Sequence, residues 1–255
     1  IDVAVIHGSK DKVLVSSSGV HGPEGFAGSA IQTSLLEMIS MSPQIRTRYN
    51  MGHRFKWGKD SKPVKVDSQE GEGGGEGEGG GEGETDASIV APTLVFIHAV
   101  NPYGFANNRR FNEDNIDVNR NFLTNEQFDF VNSRDPNFAG YLDIDFMINP
   151  TSTPFDNLIL NDIWGHLKSA YAVVRYGITY VKRALVAGNY FRQSGLGFGG
   201  FTRSASAEAM IEISKELGLH DAAKITLIDH HTGLGPSGTD TLALLGNNGP
   251  DFTAF

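Results

Sequence analysis

Residues 13–26, VLVSSSGVHGPEGF, give the clearest indication of how this chain folds. An apolar, β-branched run typical of a strand leads into a turn of small residues that carries His21 and Glu24. After Gly25, small and apolar residues recur at steps of three and four, which predicts a helix that ends before Pro43. The helix face predicted by this spacing consists of Ala27, Ala30, Ile31, Ser34, Leu35 and Met38. Strand, turn and helix together form the βα unit of an α/β sheet.

Three further segments are predicted to be strands, and two of them run directly into polar residues. They are residues 2–6, 92–100 and 224–228. An asparagine- and arginine-rich segment follows the second of these at 101–122, and DHHTG follows the third at 229–233. Ligands of α/β proteins collect at the carboxyl ends of strands, so we expect both segments to meet the first turn. We predict an α/β fold, an α/β/α sandwich with a mixed, mostly parallel sheet.

The length of the chain and its helical pattern predict one domain. With 255 residues the chain can bury one substantial core, and we predict a single domain over residues 1–255. Residues 157–187 keep helical spacing of apolar side chains and are predicted to be largely helical and to pack on the sheet. Because the chain starts at Ile1 without a methionine, we expect a piece of a longer protein, incomplete at both ends.

A low-complexity tract dominates the charge of the chain. Residues 70–84 read EGEGGGEGEGGGEGE, which has no apolar group to bury, so we predict a disordered loop insertion at about 67–88. Six glutamates of this tract account for most of the formal charge of −9. No basic stripe is visible, so nucleic acid is not an expected partner. No apolar run reaches the roughly 18 residues of a membrane span, and the sequence does not indicate a compartment.

Histidines and carboxylates at the predicted strand ends suggest a metal site. The chain has no cysteine, so a metal would be held by histidine and carboxylate side chains. His21 and Glu24 lie three residues apart after the strand that begins at Val13, and His230 and His231 follow the strand at 224–228. Two histidines and one carboxylate form the ligand set of hydrolytic zinc sites. A histidine and a glutamate at this spacing are a weak signal alone, and residues 107–122 also fit a polar surface loop.

Three ordered segments resemble the M14 metallocarboxypeptidase superfamily. They are HGPEGFAGS at 21–29, NPYGFANNRRFNEDNIDVNRNF at 101–122 and DHHTGLGPSG at 229–238. The resemblance is closest to the M14-like group known as DUF2817, which residues 184–200 also resemble, and more distant to the succinylglutamate desuccinylase/aspartoacylase branch. It implies a zinc-exopeptidase-like fold.

The same resemblance implies three zinc ligands. The His-x-x-Glu pair of the superfamily corresponds to His21 and Glu24. The third ligand corresponds to His231, because the family pattern places it directly before Thr-Gly, and His230 is then a neighbour. Asp117 is expected to contact the ring nitrogen of His21 that does not face the metal, and so to orient the ring.

The resemblance also implies residues that contact the substrate. Asn119 and Arg120 belong to an Asp-x-Asn-Arg motif and are expected to bind the substrate's carboxylate. Arg110 is expected to polarise the scissile carbonyl, with Arg109 as the less favoured choice. The expected substrate is a small peptide or an N-acyl amino acid with a free carboxylate, and the expected cofactor is Zn²⁺.

The resulting hypothesis is a zinc-dependent hydrolase that cleaves an amide bond next to a free carboxylate through a zinc-activated water. The superfamily's general base is a glutamate on a strand well after the third ligand, and no glutamate follows His231; the carboxylates there are Asp240 and Asp251. The chain is therefore expected either to end before its base or to be a non-catalytic, zinc-stabilised binding module.

Overall fold

The architecture is a mixed β-sheet flanked by helices. A computed structural model of the chain describes residues 1–51, 54–57, 63–66, 91–233 and 239. The strands are β1 (Asp2–Ile6), β2 (Ser9–Ser18), β3 (Arg54–Trp57), β4 (Pro63–Val66), β5 (Pro92–His98) and β6 (Lys224–His230). The helices are α1 (Gly25–Met41), α2 (Pro43–Arg48), α3 (Pro102–Ala106), α4 (Asn125–Ser133), α5 (Asp145–Ile148), α6 (Leu158–Tyr176), α7 (Ile178–Ala187) and α8 (Ala205–Glu216). The Glu/Gly tract at 67–88 lies outside the described residues, so its disorder stays a prediction.

The predicted fold class is confirmed by the order of the strands. Four strands form one sheet in the order β1-β5-β2-β6, and β3 pairs with β4 separately. β2 runs parallel to both β5 and β6, whereas β1 is antiparallel to β5. Because β2 lies between its two parallel neighbours, the carboxyl ends of all three strands meet at one edge. The three polar segments of the sequence start from that edge.

Each face of β2 meets a different helix. Val13 and Val15 are buried in the main apolar cluster, against which Met210 and Ile213 of α8 pack. On the opposite face, Gln32 of α1 donates hydrogen bonds to the main-chain oxygens of Ser16 and Ile97 at 2.8 and 3.1 Å. The sheet therefore lies between helices, as predicted. Among the described residues, no helix is both long enough and apolar enough to cross a membrane.

The bounds of α1 match the prediction, but the face that packs on the sheet is not the apolar face that the spacing predicts. The helix buries Gly25, Gly28, Gln32, Ile39 and Ser40. The predicted face is turned outward: Ile31, Leu35 and Met38 are all exposed. The physical reason is that α1 lies very close to a polar layer of the sheet, where a glycine and a hydrogen-bonding glutamine fit and large apolar side chains do not.

Residues 157–187 are largely helical, as predicted, but they form two helices, and the prediction that this segment packs on the sheet is wrong. Gly177 separates α6 from α7 with a φ of 85°, a value that L side chains rarely adopt. The inner side of α6 packs on α5 and α7 through a separate apolar cluster, which is formed by Ile144, Ala172, Val181 and Ala184. Ala172 and Ala184 are small enough to allow the helices to approach closely, and α6 packs on α5 and α7 rather than on a strand.

Gly28 offers a test of the close packing of α1 on the sheet. A Cβ at Gly28 would lie 2.4 Å from Cβ of Ser18 and 3.2 Å from Cβ of His230. We expect Gly28→Ala to lower the free energy of unfolding by about 1–3 kcal/mol, because α1 must move away from the sheet. Urea denaturation followed by circular dichroism measures the effect.

The matched control is Gly165→Ala in α6, where a Cβ meets no atom within 4 Å. Here we expect a gain of up to about 1 kcal/mol, because alanine favours the helix over glycine. Equal effects of the two substitutions would contradict the proposed packing of Gly28.

Candidate metal centre

His21 and Glu24 are brought together by a single 3₁₀ turn at the end of β2. His21 caps the turn Gly22–Glu24, and α1 follows directly at Gly25. His21 has extended backbone directly before the turn, and Glu24 is the last residue of the turn, so the turn folds the second side chain back towards the first. Nδ1 of His21 is 3.0 Å from Oε1 of Glu24. The turn leaves no room for a side chain at Gly22, where a Cβ would lie 2.0 Å from the carbonyl carbon of Gly104.

His231 reaches the same carboxylate from the neighbouring strand. It follows β6, whose last residue, His230, is in register with Ser18 of β2. Nδ1 of His231 lies 3.0 Å from Oε2 of Glu24, and the backbone N–H of Thr232 donates to the same oxygen at 3.0 Å. One potential ligand atom from each of the three side chains lies within 4.8 Å of the other two. This His/Glu/His group can therefore hold a metal ion.

Each histidine of the group has a second carboxylate behind it. Nε2 of His21 is 3.1 Å from Oδ1 of Asp117, and Nε2 of His231 is 2.6 Å from Oδ2 of Asp229. A carboxylate on the far nitrogen is the usual outer partner of a metal-binding histidine, because it fixes the ring and leaves the other nitrogen to face the metal. Both Nδ1 atoms face Glu24. The donor set thus fits a divalent cation.

Asp229 is a site residue that the sequence analysis did not identify. It lies two residues before His231, and side chains two apart along an extended strand point to the same side. This spacing could have identified Asp229 from the sequence. Ser17 Oγ on β2 donates to Oδ1 of Asp229 at 2.7 Å. This bond joins β2 to β6, and the pairing of these two strands could not be read from the sequence.

The protonation of the group follows from its hydrogen bonds. Burial lowers the pKa of His21, but its bonds to Asp117 and Glu24 outweigh burial and raise that pKa above the ordinary value. The bonds from His231 to Asp229 and Glu24 raise the pKa of His231 to about 9. Burial opposes ionisation of Glu24, yet the two histidines and the Thr232 N–H bring its pKa well below the usual range. A divalent cation held by this group would take the place of the two Nδ1 protons.

Asp117 is held in place by the glycine-rich residues 195–200 and by the turn that it caps. It caps the 3₁₀ turn Val118–Arg120, and its backbone N–H donates to the carbonyl of Phe198 at 2.7 Å. Asn121, fully buried, donates to the carbonyl of Gly199 at 2.7 Å. Burial raises the pKa of Asp117, but the bond from His21 and nearby cationic side chains give a net lowering.

Arg110 contacts the His/Glu/His group, whereas Arg109 points to a different partner. Nη1 of Arg110 donates to Oε1 of Glu24 at 3.0 Å, and its Nη2 lies 3.6 Å from Oδ2 of Asp117. The Arg110 side chain is 45% exposed, so solvent reaches its guanidinium. Arg109 instead contacts Asn115 at 3.4 Å.

Asn119 and Arg120 lie beside the group without touching it. Nε of Arg120 donates to the carbonyl of Val186 at 2.8 Å, and its Nη1 donates to the carbonyl of Asn119 at 3.1 Å. Asn119 is exposed, and its side chain makes no hydrogen bond to another described residue. The charge of Arg120 contributes to the lowered pKa of Asp117.

His230 lies in the polar layer beneath α1, away from the ligand group. Its Nε2 is 3.0 Å from Oγ of Ser16. His98 occupies a similar place on β5, with Nδ1 3.1 Å from Oγ of Ser18. Burial lowers the pKa of both histidines. Adjacent residues of a strand point to opposite faces, which explains why His231 and not its neighbour reaches Glu24.

A cleft of about 630 Å³ is bordered by the loop that carries Arg110. Its lining combines apolar side chains with amides and one ion pair, and consists of Phe111, Asn115, Asp145, Ile148, Asn149, Pro150, Thr151, Arg192, Ser194 and Leu196. Nη1 of Arg192 is 2.6 Å from Oδ1 of Asp145. The volume of the cleft lies within the usual range of small-molecule sites, about 300–1,000 Å³.

Replacing the two adjacent histidines one at a time tests the ligand set. We expect His231→Ala to weaken Co²⁺ binding at least about 100-fold, more than the roughly 10- to 100-fold typical of removing an outer partner. His230→Ala should leave Co²⁺ affinity within about twofold, because His230 faces Ser16. Titration followed by the visible absorbance of Co²⁺ measures both. Equal losses in the two variants would contradict the assignment.

The outer carboxylate of His231 can be tested separately. We expect Asp229→Asn to reduce Co²⁺ affinity about 10- to 100-fold, because the ring of His231 loses its charged partner. The exposed Asp221, in the turn Leu219–Asp221, provides a matched control. Asp221→Asn should bind Co²⁺ like the unsubstituted chain; an Asp229→Asn variant that also does so would show that the carboxylate is not needed.

Comparison with known proteins gives a family and no characterised relative. Neither the curated proteins nor the solved structures contain a match. The family model described as "Protein of unknown function (DUF2817)" matches residues 1–48 and 82–253. These ranges include every ligand of the candidate centre and both outer carboxylates. The chain belongs to the DUF2817 family.

Proposed function

We propose that this chain is a zinc-dependent hydrolase that cleaves an amide bond next to a free carboxylate, like the metallocarboxypeptidases and deacylases of the M14 superfamily. The observation that carries the proposal is the convergence of His21, Glu24 and His231, with Arg110 bonded to the same carboxylate. Chain segments that are far apart in sequence supply these residues. Such a cluster of perturbed, hydrogen-bonded groups is typical of a functional site.

The donor set favours zinc among the divalent metals. Two imidazole nitrogens and one carboxylate, without a thiolate, are the ligands of catalytic zinc sites that keep one position open. Zinc bound there supplies a Lewis acid for a carbonyl oxygen and a water whose pKa is lowered to about 7. Asp117 and Asp229 hold the two imidazoles with Nδ1 facing inward.

Arg110 is the residue of the chain best suited to stabilise negative charge on the substrate. Its guanidinium is anchored by Glu24 and Asp117 yet remains half exposed. An N–H donor fixed beside a reacting carbonyl stabilises the developing oxyanion more than the ground state. Asn101 contributes by donating to the carbonyl of Arg110 at 3.3 Å, which holds this part of the loop in place.

The substrate we propose is a small peptide or an N-acyl amino acid. Its free carboxylate is bound by Asn119 and Arg120, which lie on the turn that Asp117 caps. Arginine is suited to this role because its planar fork matches a carboxylate. The cleft beside the Arg110 loop, with its apolar wall, offers space for the remainder of the substrate.

A second candidate is a zinc-stabilised binding module without turnover. The observation that favours it is the His/Glu/His group itself, which can hold a metal ion whether or not a reaction follows. Turnover also requires a general base, whose proton transfer is typically worth about 10²- to 10⁴-fold in rate. Both candidates have the same metal ligands and bind the substrate's carboxylate through Asn119 and Arg120. Only a measurement of turnover therefore distinguishes them.

Metal content and substrate preference together test the proposal. We expect about one equivalent of zinc in the purified chain and its loss in His21→Ala. We also expect hydrolysis of N-acyl amino acids to be about 10- to 150-fold faster in kcat/KM than that of their carboxamides, the range for a hydrogen bond to a charged group. Arg120→Gln should abolish this preference, and Arg109→Gln should preserve it.

Three results have different meanings. Less than a tenth of an equivalent of zinc, or zinc content unchanged by His21→Ala, contradicts the zinc site. Zinc-dependent binding of an N-acyl amino acid without hydrolysis supports the binding module. Hydrolysis of acid and carboxamide at equal rates contradicts the requirement for a free carboxylate.

A further inference from the structure

The outer side of α6 carries a long apolar surface that no described residue covers. Six large side chains on one side of this helix are between 42% and 87% exposed. They are Leu160, Ile163, Trp164, Leu167, Tyr171 and Val174, and we call them the apolar stripe. Apart from Tyr171, whose ring lies edge-on to that of Phe146 with the centroids 5.8 Å apart, the stripe is distinct from the side that holds α6 to the body, where Ala172 is fully buried. The helix thus has two apolar faces, and only one is used within the described chain.

The spacing of the stripe is that of a helix-pairing seam. Leu160, Ile163, Leu167 and Val174 occupy positions of a heptad repeat, with steps of three, four and seven residues. Ala170 fills the remaining position of the repeat, and Trp164 and Tyr171 flank it. Apolar residues with this period pack as knobs into holes against a second helix with the same period. No charged side chain interrupts the stripe, so it is suited to burial along its whole length.

The area of the stripe approaches what a dimer requires. A fully exposed large apolar side chain presents roughly 150–250 Å², so six that are about half exposed present on the order of 600 Å². The largest patch on a typical monomer is about 300–600 Å², and one side of a standard interface is about 800 Å². Ile159, which is 71% exposed at the edge of the stripe, adds to this area.

We propose that the apolar stripe pairs with the same stripe of a second copy of this chain, antiparallel across a two-fold axis near Leu167. Isologous pairs of this kind are the commonest closed assemblies. Leu167 is the midpoint between Leu160 and Val174, so the two seams match over their full length.

The helix dipoles favour the antiparallel arrangement. Antiparallel helices place the N-terminal end of one dipole beside the C-terminal end of the other, which is favourable. Parallel helices would place like ends together. The charges of α6 do not decide the orientation, because Asp162 lies 3.5 Å from His166 of the same helix and Arg175 lies over the ring of Tyr176. This pairing goes beyond the proposed function and does not depend on it.

Molar mass and the fluorescence of Trp164 provide the first test. The chain has two tryptophans, so Trp57→Phe leaves Trp164 as the reporter. We expect the mass from light scattering to rise with concentration to twice 27.6 kDa, together with a blue shift of the emission as Trp164 is buried. Leu167→Glu should weaken association at least about 100-fold and remove the shift.

Leu158→Glu is the matched control, because Leu158 is 88% exposed on the same helix but outside the stripe. It should leave association unchanged. Circular dichroism verifies that both variants remain folded. A monomer with exposed Trp164 at all concentrations overturns the proposal. So does a monomer whose Trp164 is shielded, because another part of the chain then covers the stripe.

Single cysteines test the orientation without disturbing a charge. The chain has no cysteine, and a disulfide requires the two Cα atoms to lie within about 7 Å. We expect Leu167→Cys to form a symmetric disulfide, and Leu160→Cys to form one only with Val174→Cys in a mixture of the two variants. Self-linkage of Leu160→Cys overturns the antiparallel arrangement, and failure of Leu167→Cys to link overturns the two-fold axis.

Discussion

The carboxylate of Glu24 is the group on which the candidate centre depends. Its two oxygens accept hydrogen bonds from two histidines that are 210 positions apart in sequence, His21 through Oε1 and His231 through Oε2. Arg110 contacts the same carboxylate from a third segment. Three strand ends are therefore tied to one side chain. Its ionisation is secured because several donors surround it while burial excludes most of the solvent.

The charges of the cluster explain why this geometry is compatible with a metal site. When His21 and His231 are protonated, they and Arg110 together balance the carboxylates of Glu24, Asp117 and Asp229. Exchange of the two Nδ1 protons for a divalent cation leaves the net charge unchanged. The outer carboxylates can therefore keep their positions in both states, and the rings remain oriented towards the same point.

The polar layer beneath α1 sets the relative positions of the strands that carry the centre. Gln32 bridges β2 and β5 through main-chain oxygens, and Ser16 contacts His230 on β6. The bonds of Gln32 are buried, so breaking one would leave a polar group without a partner, at a cost of about 1–3 kcal/mol. The layer also requires the small residue Gly28 at the closest approach of the helix. The same constraint turns the large apolar side chains of α1 outward.

The sequence by itself determined the local elements and the residue types of the centre. Strand patterns predicted β2, β5 and β6 because β-branched runs are local signals, and the three-residue spacing of His21 and Glu24 indicated a ligand pair. Only the tertiary structure decided which side chains meet. Strand order brought His231, which the family resemblance implied as the third ligand, against Glu24 and placed Asp229 behind it, since register between distant strands is not encoded in local spacing. The inner face of α1 and the break at Gly177 were likewise decided by packing, because helical periodicity describes an amphipathic face but not the surface that it meets.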